Sequence, residues 1–302
     1  MTDFRIGIDL GGTKTEIILL NGNSQEVFRT RIPTTRDNYS ATLHDIGGLV
    51  AQAEAIAGQA GIPVGIGIPG TISRKTGFVK NANSTWLNGK PFQKDLSAQL
   101  NRDVKITNDA NCLAVSEATD GAGRGHALVF AGILGTGCGA GVAFKGLPIV
   151  GPNGVAGEWE HNSLPWTHDA ELEARPCYCG KSGCQETFLS GTGLCKSYEM
   201  MTGLKLSGHE IAERAAHEEI HARQVLDAYF DQLARGLAAV INIMDPDIIV
   251  LGGGVSNITE IYTTVPQLLG KYVFGFECDT PVVQALHGDS SGVRGAAWLN
   301  PL

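Results

Sequence analysis

No apolar run in this 302-residue sequence approaches the roughly 20 residues that cross a bilayer. A membrane-spanning helix is therefore not expected. The first residues, Met-Thr-Asp-Phe-Arg-Ile-Gly, lack the apolar stretch of a signal peptide, so a cytoplasmic location is expected. There is no basic stripe. Lys and Arg number 23 against 31 Asp and Glu, a net charge of −8, and the cations are scattered. A nucleic-acid partner would need clustered positive charge, so none is expected. The Walker pattern GxxxxGK[ST] is missing. No glycine turn has the dinucleotide spacing followed by a helix. Both absences argue against a P-loop enzyme and against a Rossmann dehydrogenase. Nor is there an even disulfide framework, because the cysteines number seven.

Three of those cysteines crowd into Cys177-Tyr-Cys179-Gly-Lys-Ser-Gly-Cys184, with His161 upstream. Three thiolates and one imidazole complete a tetrahedral set for zinc and leave no position open for a substrate. Such a site is structural. It would brace a loop bearing Glu158 at one end and Glu186 at the other. Cys112, Cys138, Cys195 and Cys278 are isolated along the chain. The bland alternative is a set of reduced, buried thiols.

Hydrophobic residues make up 43% of the chain, enough for a substantial core, and the length allows two ordinary domains. Phe4 to Asp9 reads as a strand, Leu10 to Lys14 as a turn and Thr15 to Leu20 as a second strand, with Val27 to Ile32 beside them. Helices are predicted near 39–60, over 91–101 and from 109 to 118. Strands are predicted at 64–68 and 104–107. A second hairpin spans 127–144 around Gly135-Thr136-Gly137-Cys138-Gly139. It resembles the first hairpin, a weak internal repeat. Residues 186–201 and 209–244 read as long helices. A strand at 248–251 leads into Gly252-Gly253-Gly254 and a helix start. Another strand lies near 282–286, and a short helix closes the chain. Strands alternating with helices imply an α/β fold. The 40 glycines gather at strand ends, where backbone N–H groups can converge on an anion.

Read by itself, Asp9 could cap a turn. The Asn108-Asp109 pair could cap a helix. His287-Gly-Asp289 reads as structural, and the tryptophans read as core.

The motifs Asp9-Leu-Gly-Gly-Thr-Lys14, Asn108-Asp109-Ala-Asn111, Gly135-Thr-Gly137, Gly157-Glu158-x-x-His161 and Cys177-x-Cys-Gly-x-x-Gly-Cys-x-Glu186 occur in order along the whole chain. Together they resemble the ROK family of bacterial sugar kinases. Lys80 to Gly89, Gly135 to Phe144 and the C-terminal segment look most like its fructokinase (manno/fructokinase) branch. The resemblance implies a two-lobed actin/hexokinase-like ATPase fold with a cleft between lobes and a structural zinc loop. The small lobe would be 1–117, with a C-terminal helix over 290–302 packed back on it. The large lobe would be 118–289, with the zinc loop at 158–186.

The resemblance also implies an ATP-dependent kinase phosphorylating fructose at its 6-hydroxyl. Glucose, mannose or an N-acetylhexosamine is the alternative acceptor, and a non-catalytic sugar-binding regulator the rival of another class. Asp109 would be the general base. Gly70, Asn83, Asn108, Asp109, Glu158, His161 and Glu186 would face the sugar. Asp9 would hold Mg²⁺ through water. Gly11, Gly12, Thr13, Lys14, Gly135, Thr136 and Gly137 would meet the ATP phosphates, and Gly252, Gly253 and Gly254 the adenosine. His161, Cys177, Cys179 and Cys184 would hold Zn²⁺, with the second ring nitrogen of His161 facing a sugar hydroxyl. A homodimer is expected. One residue departs from the family pattern. Glu160 stands where members usually have glycine. It would either strain the turn, if φ is positive there, or point to solvent.

Overall fold

The computed structural model describes residues 4–171, 175–288 and 291–300. The chain divides into two compact units. The first takes Met1–Gly125, Gly141–Ala156 and Asp289–Leu302; the second takes His126–Ala140 and Gly157–Gly288. The expected boundary after residue 117 is thus displaced, and 141–156 belongs with the first unit rather than with the large lobe.

In the first unit, β1 (Phe4–Leu10) and β2 (Lys14–Asn21) form the expected hairpin, and β3 (Glu26–Pro33) pairs with β2. Helix α1 (Tyr39–Ala57) starts where the Asn38 side chain accepts from Ala41 N. It stops at Gly58, whose φ of 63° suits glycine. Ile46, Leu49, Val50 and Ala53 form its buried face. Strand β4 (Val64–Ile68) follows, then the short pair β5 (Thr71–Ile72) and β6 (Val79–Lys80). Helix α2 (Phe92–Leu100), β7 (Val104–Asn108) and α3 (Asp109–Thr119) complete the series. The sheet order is β3-β2-β1-β4-β7, with β1, β4 and β7 parallel. Ile6, Ile8, Ile17, Leu19, Val64, Ile66, Leu87, Phe92 and Leu96 share one buried cluster.

The second five-stranded sheet runs β10-β9-β8-β11-β12. It comprises β8 (Leu128–Leu134), β9 (Cys138–Phe144), β10 (Leu147–Pro148), β11 (Ile248–Gly252) and β12 (Val282–Gln284), with β8, β11 and β12 parallel. The helical third quarter is more broken than its composition predicts. One expected helix is two, α4 (Glu186–Leu189) and α5 (Gly191–Thr202), divided at Ser190. The other is α6 (Gly208–Ala216) and α7 (Ile220–Met244). The α6–α7 break carries Glu218 at φ 61°, and the Glu219 side chain caps α7. Gly254 opens only a 3-10 turn to Asn257, and the next helix is α8 (Ile261–Leu269).

The last helix, α9 (Ser291–Trp298), returns to the first unit. Val293, Ala296, Ala297 and Trp298 pack with Ile18, Leu20, Cys112 and Val115. Glycines inside strands permit this approach. A Cβ on Gly7 would collide with the Val293 carbonyl, and one on Gly65 with that of Ala296. The glycines therefore serve strand interiors as well as strand ends.

Candidate functional site

In the first unit the candidate residues collect at the carboxyl ends of the parallel strands. Asp9 is in register with Gly67 on β4, and Gly67 with Thr107 on β7. Asp109 follows two residues later, and Gly70 follows the end of β4. Open α/β sheets place ligands at this edge. Gly70 lies so close to Ala82 that a Cβ would meet its Cα at 2.8 Å, and Asn83 N donates to the Pro69 carbonyl at 3.1 Å. Those two contacts bring Gly70 and Asn83 together. The helix cap is Asn108, whose Oδ1 accepts from Ala110 N at 2.8 Å. Asp109 is the first helical residue, and its Oδ1 accepts from the same Ala110 N–H, also at 2.8 Å, so the two side chains share the capping contact.

Burial pushes the Asp9 carboxyl up to about 7, with Asp109 and Glu16 adding repulsion. Glu16 is itself buried, held by Arg29 and by Arg31 at 2.7 Å. Gly67 and Gly292 leave room around the two Asp9 oxygens, where Cβ atoms would come to 3.8 and 3.3 Å. A crowded pair of carboxylates with space beside it fits a hydrated divalent cation such as Mg²⁺. Between β1 and β2, Gly11 N donates to the Lys14 carbonyl at 2.9 Å, which closes the turn holding Gly12 and Thr13.

The second unit gathers a separate set. The Gly135–Gly137 turn closes by Gly135 N donating to Gly137 O at 2.9 Å. Gly253, at φ 87°, lies against it, and a Cβ there would meet the Leu134 carbonyl at 2.6 Å. Gly252 and Gly254 flank this contact. The break at Ser190 also has a use. It lets Gly191 N donate to Gly135 O at 2.7 Å and Thr192 Oγ1 to Thr136 O at 2.8 Å. Glu186 accepts from Cys138 N at 3.1 Å, which fixes that carboxylate beside the turn. Thr136, Gly137, Glu186, Ser190, Thr192 and Tyr178 line one cavity of about 730 Å³. Ser190, Thr192 and Tyr178 were not singled out by sequence. The signal for the first two was a Ser-Gly-Thr-Gly run inside a predicted helix.

The ligand atoms of His161, Cys177, Cys179 and Cys184 all lie within 4.8 Å of one another. His161 Nδ1 is 3.7 Å from Cys177 Sγ, and Cys179 Sγ is 3.6 Å from Cys184 Sγ. Those spacings match the edges of a tetrahedron with metal–sulfur bonds of ~2.3 Å, about 3.8 Å long. The four side chains therefore fit a single zinc ion. None of the seven cysteines is paired in a disulfide. At the far end of this loop, buried Arg235 of α7 donates to the carbonyls of Pro165 and Trp166 at 3.0 and 2.9 Å. It also pairs with Glu171 and with Asp231.

Glu160 meets neither expectation. It sits in a 3-10 turn, Trp159–His161, without positive φ, and is only 4% exposed. Burial raises its carboxyl to about 9, with Glu158 and Glu186 contributing. Trp159 is buried edge-on to Phe130, as the core reading expected, whereas Trp166 stacks on Tyr272 but is 52% exposed and is not core. Asp289 of the His-Gly-Asp element lies outside the described residues.

Residues 5–301 match the ROK family. The chain is 39% identical, over 97% of its length and 98% of the relative's, to an N-acetyl-D-glucosamine kinase of Escherichia coli O127:H6. Among solved structures it is similar to a ROK hexokinase from Thermus thermophilus (26% identity, TM-score 0.86, covering 98% of this chain and 97% of that one). A ROK family glucokinase from Streptomyces griseus, in complex with glucose and AMPPNP, is 25% identical, with a TM-score of 0.74 and coverage of 97% and 98%. The expected actin/hexokinase-like α/β fold is thereby shown, whereas the fructokinase branch is not. No helix among the described residues is long and apolar enough to cross a membrane.

Proposed function

The chain belongs to the ROK family, and on that footing we propose that it is an ATP-dependent kinase for an N-acetylhexosamine. Near full-length likeness to N-acetyl-D-glucosamine kinases at 39% identity carries this reading. None of the relatives named above is a fructokinase. The amino sugar, an alternative on sequence, therefore moves ahead of fructose. Fructose remains the second reading, supported by the segments 80–89 and 135–144.

Phosphoryl transfer asks for positioning and charge neutralisation more than covalent work. Asp109 is the proposed general base, taking the proton of the attacking sugar hydroxyl. Its charge repels that of Asp9 and helps to raise the Asp9 carboxyl. Asp9 would hold Mg²⁺ through water and thereby offset charge on ATP. Gly11, Gly12, Thr13 and Lys14 would contact ATP phosphates, as would Gly135, Thr136 and Gly137. Gly252, Gly253 and Gly254 would lie against the adenosine. Gly70, Asn83, Asn108, Glu158, His161 and Glu186 would recognise ring hydroxyls. Zinc at His161, Cys177, Cys179 and Cys184 would fix the loop that presents three of them. The enzyme would act in the cytoplasm as a homodimer.

The test is a coupled ADP-release assay over a panel of hexoses and N-acetylhexosamines, with zinc content and light scattering on the same preparation. N-acetylglucosamine is expected to exceed fructose by roughly tenfold or more in kcat/KM. Faster turnover of fructose than of any N-acetylhexosamine overturns the choice of acceptor. Sugar binding without turnover overturns the kinase reading and favours a non-catalytic regulator.

A further inference from the structure

The two ring nitrogens of His161 face different neighbours. Nδ1 is turned to Cys177 Sγ, on the thiol side, and Nε2 lies 3.0 Å from the Tyr178 hydroxyl. The nearest carboxylates stand farther off: Glu160 Oε1 at 3.6 Å and Glu158 Oε2 at 4.0 Å. An imidazole that gives its Nδ1 lone pair to a metal carries its proton on Nε2. That N–H then donates to the Tyr178 oxygen. The two rings meet edge-on, with centroids 5.1 Å apart.

Tyr178 is nonetheless 80% exposed. One hydrogen bond and one ring edge hold a side chain that is otherwise in water. Its backbone is in the opposite situation, because Cys177 and Cys179 bracket it. The side chain can leave while the main chain stays, and exposed rotamers exchange in picoseconds to nanoseconds. Tyr178 also lines the cavity that contains Glu186, Thr136 and Gly137.

We propose that Tyr178 sets sugar affinity by competing for His161 Nε2 in the sugar site. In the sugar-free protein its hydroxyl occupies the place at His161 Nε2 that a hexose hydroxyl takes in the complex. A sugar that supplies this hydroxyl recovers the displaced bond, and a sugar lacking it does not. The proposal rests on the sugar-kinase reading above and adds a residue that the family motif leaves open.

The experiment is calorimetry on zinc-loaded protein without nucleotide, using the best acceptor from the panel and its single-deoxy analogues. Wild type, Tyr178→Phe and Tyr178→Ala are compared at equal metal content. Removing the hydroxyl removes the competitor for Nε2–H. Both variants are therefore expected to bind the intact sugar about threefold to tenfold more tightly, the worth of one neutral hydrogen bond. KM should fall by a similar factor. The deoxy analogue that lacks the hydroxyl meeting Nε2 should bind wild type more weakly than the intact sugar and gain by a similar factor in both variants, because it too is spared displacing Tyr178. Equal or weaker binding of the intact sugar by both variants overturns the placeholder role while leaving the kinase reading in place. Failure of wild type to bind any hexose overturns both.

Discussion

Asp9 and Asp109 reach their positions differently from Glu158, His161 and Glu186. The first pair stands at the ends of parallel strands, where ladder register places Asp9 on β1 and Asp109 opens α3 directly after β7. The second group belongs to a segment, 157–186, whose described residues carry little regular structure. That segment is gathered by a four-ligand cluster at one point and by the Arg235 guanidinium at another. A sheet edge needs no additional group to aim a carboxylate. A loop needs cross-links, and each cross-link is a place where it can be undone.

Substitutions should separate the two kinds of support. Asp109→Ala is expected to lower kcat by about 10²–10⁴-fold with little change in Tm, because the sheet edge survives without that side chain. Single-turnover assays alongside calorimetric melting check both halves, and a variant that still turns over at the parental rate would end Asp109's candidacy as base. Arg235→Ala should act the other way. Its side chain is fully buried, and removal leaves Glu171 and Asp231 without their cation. A loss of about 3 kcal/mol in denaturant unfolding is expected, with sugar KM rising more than kcat falls. An unchanged unfolding midpoint would show that the metal end alone suffices.

Asp9→Asn tests the price of crowding acids at the strand ends. A carboxyl raised from 3.8 to about 7 stabilises the fold only at low pH. Its contribution is complete below about 3.8 and is lost as pH rises through about 7. In Mg²⁺-free buffer the variant should match wild type near pH 4 and exceed it near pH 8. At about 1.36 kcal/mol per pKa unit, the gain is up to about 4 kcal/mol. A constant difference across that range would mean the carboxyl is not strained. The smallest effect is expected from Asn108→Ala. Loss of the cap on Ala110 N should cost about 1 kcal/mol, read from the urea midpoint. No loss at all would show that Asp109 Oδ1, which accepts from the same N–H, suffices as the cap, and would weaken the case for it as base.

The strand–turn–strand units and the Cys-x-Cys cluster were legible because each has a short local pattern. Apolar alternation ends in glycines in one, and ligand types recur at metal spacing in the other. The break at Ser190 was only partly legible. Ser190-Gly-Thr-Gly offered an N-cap and two poor helix formers, and Ser190 does cap α5, but the hydrogen bonds of Gly191 and Thr192 to the distant Gly135–Thr136 turn have no local signature. Glu160 misled for a similar reason. A charged residue in a polar loop reads as exposed, and only tertiary packing puts it inside. Tyr178 was not singled out, because the identity of its partner depends on where His161 folds back.

The return of α9 to β1 and α3 has a consequence for biosynthesis. Ile18, Leu20, Cys112 and Val115 leave the ribosome long before Val293, Ala296 and Trp298, the residues that cover them. Through most of translation the first sheet carries an uncovered greasy strip, and it can be sealed only after the entire second unit has been made. The nascent chain must keep that strip from sticking to its neighbours for the time it takes to add more than a hundred residues, which makes it a natural handle for a chaperone.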